Sequence, residues 1–358
     1  MKENNVSLSK NGQVEETTSK KGINQTSKML LVILIIIVTM FTLFFLITKW
    51  IIPEQQYKKI VGLIDSRHYQ DAYAIIDDLA EKGLTIKKKH EIADMLIVKG
   101  EYDKAYEIYS AVGDNNAILQ NKYDRAIQKI EQKDYKTAYS ILKDLNYKDS
   151  ESLKSKIQYQ AADVGSVITF GSYEQDNNSE NGEEEIEWIV LSKVGTKLLV
   201  ISKCGLIRSR YNEKYGDVTW ETSYIRERLN KSFFNDAFNS FEKNAIISSK
   251  VTADINESFK NINPGNDTID KIFLLSIPEI EKYKDIYFCW ERALPTLSSK
   301  PKDQTDWKDC IWWTRTPGAY QSYVTLIDEF GAIGNVGDQA DKAAYVRPTM
   351  WIDYSTLT

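Results

Sequence analysis

The chain has 358 residues, with 46 basic against 51 acidic side chains and a formal charge of −5. That balance leaves no cationic excess with which to hold a nucleic-acid backbone, so no nucleic-acid partner is expected. Its three cysteines, Cys204, Cys289 and Cys310, lie far apart without zinc-site or disulfide-framework spacing, so at most one disulfide can form and a thiol is left over.

Residues 1–28 are rich in Ser, Asn, Lys and Thr and nearly lack large apolar side chains. Such a segment cannot bury a core and reads as a disordered cytoplasmic tail. From Met29 to Thr48 follow twenty residues without a charge, MLLVILIIIVTMFTLFFLIT. As a helix rising about 1.5 Å per residue they span roughly 30 Å, the thickness of a bilayer's hydrocarbon core. A buried globular helix would carry a polar stripe over five turns. A cleaved signal would have a shorter apolar run and small residues at the cut, whereas here Lys49, Trp50, Ile51, Ile52 and Pro53 follow. The segment therefore reads as a single-pass anchor in a lipid bilayer, with Trp50 at its interface. Lys20, Lys21 and Lys28 on one flank are balanced by Lys49, Lys58, Lys59 and Arg67 on the other. Flanking charge therefore does not orient it; a short tail before the span and a large region after it place the N-terminus inside and the C-terminal domain outside.

A repeat comes next: Tyr69-x-x-Ala72-Tyr73-x-Ile75, Tyr102-x-x-Ala105-Tyr106-x-Ile108 and Tyr135-x-x-Ala138-Tyr139-x-Ile141, each 33 residues after the last. A small residue flanked by aromatic and aliphatic ones suits the contact between two close-packed helices. The period resembles that of tetratricopeptide repeats over residues 54–160, although their full consensus is absent. Such a stack implies either a groove for a protein partner or a spacer. His68 and His90, the only histidines, fall in this stretch without a partner at metal-ligand spacing and read as packing or surface residues.

After Asp163 the texture changes to short alternating runs. Val167–Phe170, Trp188–Leu191 and Lys197–Ile201 predict a three-stranded meander, Ser223–Asn230 and Asn239–Ile247 two helices, and Lys271–Leu275, Ile311–Trp313, Tyr323–Ile327 and Tyr345–Ile352 further strands. This is an α+β pattern with long loops. Between the first two strands, Asp176, Asn178, Glu180 and Glu187 place oxygens at the first, third, fifth and twelfth positions of a calcium loop. Gly182 stands one place late and the flanks read as strands, so an acidic hairpin loop is expected and no metal. Gly331, Gly334 and Gly337 precede no helix or Lys-Ser/Thr and read as turn residues, not a phosphate loop.

In the run Trp312-Trp313-Thr314-Arg315, alternation sets Trp313 and Arg315 on one face and Trp312 on the other, so one tryptophan is expected in the core. Arg347, before Pro348, is expected to pair with a buried carboxylate. Thr222 or Ser223 is expected to cap the helix after Trp220, with Arg226 and Asn230 on one helical face in structural roles.

Several strings resemble a known family: Val164-Gly165-Ser166-x-Ile168-Thr169-Phe170-Gly171, Glu187-Trp188-x-Val190-Leu191, Val218-Thr219-Trp220, Arg226-x-x-Leu229-Asn230, Phe273–Ser276, Trp312-Trp313-x-Arg315-x-Pro317-Gly318 and Val346-Arg347-Pro348-x-x-Trp351-Ile352. The resemblance, over nearly all of residues 163–353, is to a bacterial family known only as a domain of unknown function, often found behind a membrane span and helical repeats. That family is similar to the C-type-lectin-like fold of formylglycine-generating enzymes and of the variable ligand-binding proteins of diversity-generating retroelements. The resemblance implies a fold and supplies no activity.

Enzymes of the wider fold use a cysteine pair or a metal to activate oxygen, and the three cysteines here do not reproduce that pattern. No histidine lies in residues 163–353, so neither a Ser-His-Asp nor a Cys-His arrangement can be assembled there. No spacing singles out a carboxylate pair for glycoside hydrolysis. The chain therefore reads as a multidomain binding protein: tail (1–28), transmembrane helix (29–48), all-α tetratricopeptide-like repeats (54–160) and an α+β C-type-lectin-like domain (163–353). It is expected on the cell surface, with an extracellular glycan or protein ligand and no catalytic residue or cofactor. Aromatic stacking beside an arginine and an amide selects Trp313, Arg315, Tyr320, Tyr323 and Asn335 as ligand contacts. The alternatives are a structural or assembly protein whose repeats hold a partner above a passive terminal domain, and a cell-envelope enzyme.

Overall fold

The computed structural model describes residues 25–79, 84–286, 296, 298–299 and 310–357. Most of the expected tail, and Cys289, lie outside the described residues. The chain forms two compact units, residues 1–121 and 122–358.

In the first unit, α1 (Gln25–Leu46) runs through a π-helical turn at Ile47–Ile51 into α2 (Ile52–Asp65). The turn lies immediately ahead of Pro53, which has no amide proton for the helical ladder. The helix is long and apolar enough to cross a membrane, and none of the side chains of α1 is buried in protein. Its threonines hide their own polarity. Thr39 Oγ1 donates to the Ile36 carbonyl at 2.8 Å and Thr48 Oγ1 to that of Phe44 at 2.9 Å. Such back-bonding leaves no free hydroxyl donor in an apolar medium.

Helices α3 (Tyr69–Leu79), α4 (Ile86–Val98), α5 (Tyr102–Val112) and α6 (Asn115–Glu131) follow, the unit boundary falling within α6. The 33-residue step has a structural counterpart at the helix ends. Arg67, Gly100 and Lys133, one step apart, all adopt left-handed backbone conformations, with φ of 62°, 84° and 59°. At each, the residue's N–H bonds three residues back (to Ile64, Ile97 and Ile130), and the next N–H bonds five back (to Leu63, Leu96 and Lys129). These are the paired closing bonds of the Schellman motif, which satisfy carbonyls left open at a helix C-terminus. The repeated alanine is fully buried each time, at Ala72, Ala105 and Ala138, where a larger side chain would force the helices apart. Around the first two lie Ile60, Ile64, Ile76, Ile92, Leu96, Ile108 and Tyr109.

The second unit opens with the end of α6, then α7 (Tyr135–Lys143) and α8 (Ser150–Ala161). Its strands are β1 (Val167–Tyr173), β2 (Glu184–Val194), β3 (Lys197–Ser202), β4 (Ile207–Arg210), β5 (Ile246–Ile247), β6 (Ser249–Val251) and β7 (Thr268–Asp270). They continue with β8 (Ile272–Phe273), β9 (Trp312–Pro317), β10 (Tyr323–Ile327), β11 (Ile333–Gln339), β12 (Ala343–Val346) and β13 (Thr349–Asp353). One sheet runs β1-β2-β3-β13-β5, with β8 also on β13; a second runs β11-β10-β9-β12-β4; β6 and β7 form a ribbon. The expected meander is present as β1-β2-β3, antiparallel throughout. Short helices follow at α9 (Tyr224–Arg228), α10 (Phe234–Ala237), α11 (Ser240–Ala245) and α12 (Ile277–Tyr283). Ser223 caps α9 by accepting from the Arg226 amide, while Asn239 and Glu242 form a capping box on α11.

One core joins both sheets, with Trp188, Tyr211, Trp220, Phe233, Trp312, Trp313 and Met350 among its members. Every residue of β9 is buried. Both Trp312 and Trp313 are therefore core residues, correcting the expectation of one: β9 is the middle strand of its sheet and is covered on both faces, so alternation no longer separates inside from outside. Arg347 is also buried; its Nε and Nη2 donate to the Ser202 carbonyl, and its guanidinium lies 5.0 Å from the Trp312 ring centre.

Candidate functional site

The turn between β9 and β10 depends on two glycines. A Cβ on Gly318 would sit 2.5 Å from the Val336 carbonyl oxygen and 2.8 Å from Tyr323 Cβ. Gly337 has φ +73°, and a Cβ there would meet the Val324 carbonyl oxygen at 2.2 Å. Only glycine lets the turn and β11 approach this closely. Gly318 N–H donates to the Tyr323 carbonyl at 2.7 Å and Ala319 N–H to that of Val336 at 2.9 Å.

This frame presents Tyr320, 62% exposed, against half-buried Tyr323, with ring centres 5.0 Å apart and planes at 62°. Ser322 Oγ lies 3.3 Å from the hydroxyl of Tyr215, which is itself 60% exposed. Val336 and Asn335 are exposed on β11, where the buried Asn256 amide donates to the Asn335 and Pro317 carbonyls, both at 2.8 Å. Gln321 is tied to the neighbouring loop: its side chain donates to the Asn263 carbonyl at 2.9 Å and accepts from the Asn263 amide at 3.1 Å. The result is a fixed surface of aromatic rings bordered by amides.

Of the five residues expected at a ligand face, Tyr320, Tyr323 and Asn335 are brought together here. Trp313 and Arg315 stand behind the surface. Trp313 is fully buried and its indole N–H donates to the Ser209 carbonyl at 3.0 Å. Arg315, 4% exposed, donates to the carbonyls of Leu274 and Thr252, to Asp254 at 2.9 Å and to Glu279. Its charge is spent on holding α12 and the 252–254 loop to β9, which leaves it no face for an outside ligand. Asp270 plays the corresponding part for Trp220 and Arg226, accepting from them at 2.9 and 2.8 Å. Asn230 joins the same region through the Ile272 carbonyl and amide. Tyr215 and Val336 were missed, because Tyr215 reaches the turn only through a contact 107 residues away in sequence.

Burial raises the Cys204 thiol above its ordinary range and pushes Cys310 up to about 12, which disfavours thiolate at both. In the β1–β2 loop, oxygens of Glu174, Asp176 and Glu184 lie within 4.8 Å of one another, and Asp176 is held below the usual carboxylate range by the Asn181 side chain and Asn178 amide. A groove of about 540 Å³ is lined by residues of α7, α8, β1 and β2, with Lys203 beyond them. Its Lys154 and Lys203 pair with its own Glu151 and Glu187 at 2.5 and 2.6 Å.

Residues 195–354 match the model of a family described as a domain of unknown function, DUF6273. No curated protein and no solved structure matches the chain.

Proposed function

We propose that this chain is a membrane-anchored binding protein. Its N-terminus is cytoplasmic, its helical segment a tetratricopeptide-like stalk, and its C-terminal domain a C-type-lectin-like head outside the cell that takes a glycan or protein ligand. The observation that carries this reading is the pair of exposed Tyr320 and half-buried Tyr323, with Tyr215, Val336 and Asn335, on a turn that Gly318 and Gly337 lock in place. Exposed aromatic rings on a rigid backbone bury area at little entropic cost, and bordering amides and hydroxyls supply direction. The apolar exterior of α1 supports the anchor.

The test displays the full chain, in micelles of a polyoxyethylene detergent, to an array of glycans and to cell-wall fragments. Tyr320→Ala and Tyr323→Ala should each weaken capture of a bound ligand about tenfold or more, as expected of an aromatic anchor. Capture that survives both substitutions would remove this surface from the function. Protease treatment of intact cells should shave off the C-terminal domain; protection of that domain would reverse the orientation.

A further inference from the structure

The sheet-rich domain contains six described arginines, and four have partners. Arg210 donates to the Glu213 carbonyl at 3.3 Å, Arg226 to Asp270, Arg315 to Asp254 and Glu279, and Arg347 to the Ser202 carbonyl. Arg208 and Arg228 have none among the described residues, and both line one cleft of about 200 Å³. Arg208 comes from β4, at the opposite edge of the five-stranded sheet from β11 and its tyrosine surface, and Arg228 from the end of α9.

The cleft's other lining residues are apolar, hydroxyl-bearing and, at Glu174, acidic. Its floor includes the buried apolar side chains of Leu206 and Ile207, 2% and 4% exposed, which lower the local dielectric. The Tyr173 hydroxyl, also on the lining, has no partner among the described residues, while its ring is held 5.3 Å from that of Phe233. Glu174 lies on the lining too, and its carboxylate accepts from the amides of Asp176 and Asn178 at 3.0 and 3.2 Å. Two guanidinium groups and a phenol thus line one cavity with no counter-charge bound to them among the described residues.

We propose that this cleft binds an oxyanion, the phosphate ester or carboxylate of a small ligand, through Arg208 and Arg228 with Tyr173 as a further donor. Guanidinium groups match such oxygens with paired, charge-assisted hydrogen bonds. The site is separate from the tyrosine surface and does not depend on it.

Isothermal titration calorimetry on the full chain in polyoxyethylene micelles at low salt tests it. Inorganic phosphate, glycerol 3-phosphate and glucuronate are the probes; glycerol and glucose are neutral controls. At least one oxyanion probe should bind where both controls do not, and the comparison of glucuronate with the phosphates identifies which oxyanion is preferred. Arg208→Gln and Arg228→Gln should each weaken binding roughly tenfold, the loss of a charge-assisted bond, and the double variant should abolish it. Tyr173→Phe should weaken it by a smaller factor, with Arg210→Gln and Tyr320→Ala unchanged. Thermal melts matching the parent's would show that the variants fold. The proposal is overturned if no oxyanion binds, if the double variant binds as the parent does, or if Arg210→Gln costs as much as Arg208→Gln.

Discussion

In the first unit the ends of α2, α4 and α5 are closed by bonds reaching three and five residues back, and those at Arg67 recur 33 residues later at Gly100. In the sheet-rich unit the polar bonds that matter span far more chain: 63 residues from Arg315 to Thr252, 104 from Trp313 to Ser209, and 145 from Arg347 to Ser202. The difference predicts two kinds of fragility. Damage to a local, repeated element should stay local and modest, because the neighbouring helices keep their own bonds. Damage to a long-range junction should be felt across the domain, because each junction orders several segments at once.

The largest effect is expected at Arg315. Arg315→Met removes the charge that Asp254 and Glu279 share, and leaves the Leu274 carbonyl without this donor. Breaking a buried pair by deleting one partner costs about 3–5 kcal/mol, so chemical denaturation should show the C-terminal unit losing most of its stability. A loss under about 1 kcal/mol would erase the contrast between the units. Gly337→Ala comes next. It joins a left-handed backbone to an unavoidable clash with the Val324 carbonyl. That predicts a loss of about 2–4 kcal/mol, with near-ultraviolet circular dichroism reporting displacement of Tyr320 and Tyr323.

The same division between local and distant explains what was legible in the sequence. The apolar run and the repeated Tyr-x-x-Ala-Tyr were legible because each is a local pattern. The three strands β1, β2 and β3 and the cap at Ser223 were legible for the same reason. That Gly100 and Lys133 occupy matching turns between helices follows from the repeat step, but the left-handed backbone they share with Arg67 was not legible, since only one of the three is a glycine. Alternation misplaced one tryptophan of β9 because nothing local says that a strand is covered on both faces. Tyr320, Tyr323 and Asn335 could be grouped as aromatic rings beside an amide on alternating strands, but Tyr215 and the pairing of Arg208 with Arg228 in one cleft needed the folded chain.

Within the helical unit, the strongest test of locality is pH. His90 Nε2 faces Asp114 at 2.8 Å, and Nδ1 faces the Ile86 carbonyl at 2.9 Å, beside the Tyr109 ring. Two acceptors call for two ring protons. The Ile86 carbonyl first, then Asp114, raise His90 above its ordinary 6.5, while the Ala117 amide and His90 hold Asp114 below its ordinary 3.8. A raised pKa stabilises fully below 6.5 and is lost as pH climbs through the folded value; a lowered one stabilises above 3.8 and is lost as pH falls through the folded value. The helical unit should therefore be firmest between these limits and soften as pH climbs through the folded value of His90. His90→Gln should flatten the alkaline side of its stability profile and leave the sheet-rich unit's profile unchanged. A profile that is flat in the parent would refute the ion pair.

The smallest effect is the most discriminating, because it compares equivalent positions. Left-handed backbone costs a residue with a Cβ about 1–2 kcal/mol, and glycine's extra freedom in the unfolded chain returns about 0.5–1 kcal/mol of that. Arg67→Gly and Lys133→Gly should each then raise stability by up to about 1 kcal/mol, whereas Gly100→Arg should lower it by a similar amount. The two gains should add, since the sites are two repeat steps apart and share no bond. Arg67 and Lys133 close helices in different units, so denaturation followed by hydrogen exchange should assign each gain to its own unit. If either glycine variant lost stability, the side chain at that position would have to be holding something that the helix-closing bonds do not describe, and the repeat would be no repeat in energy.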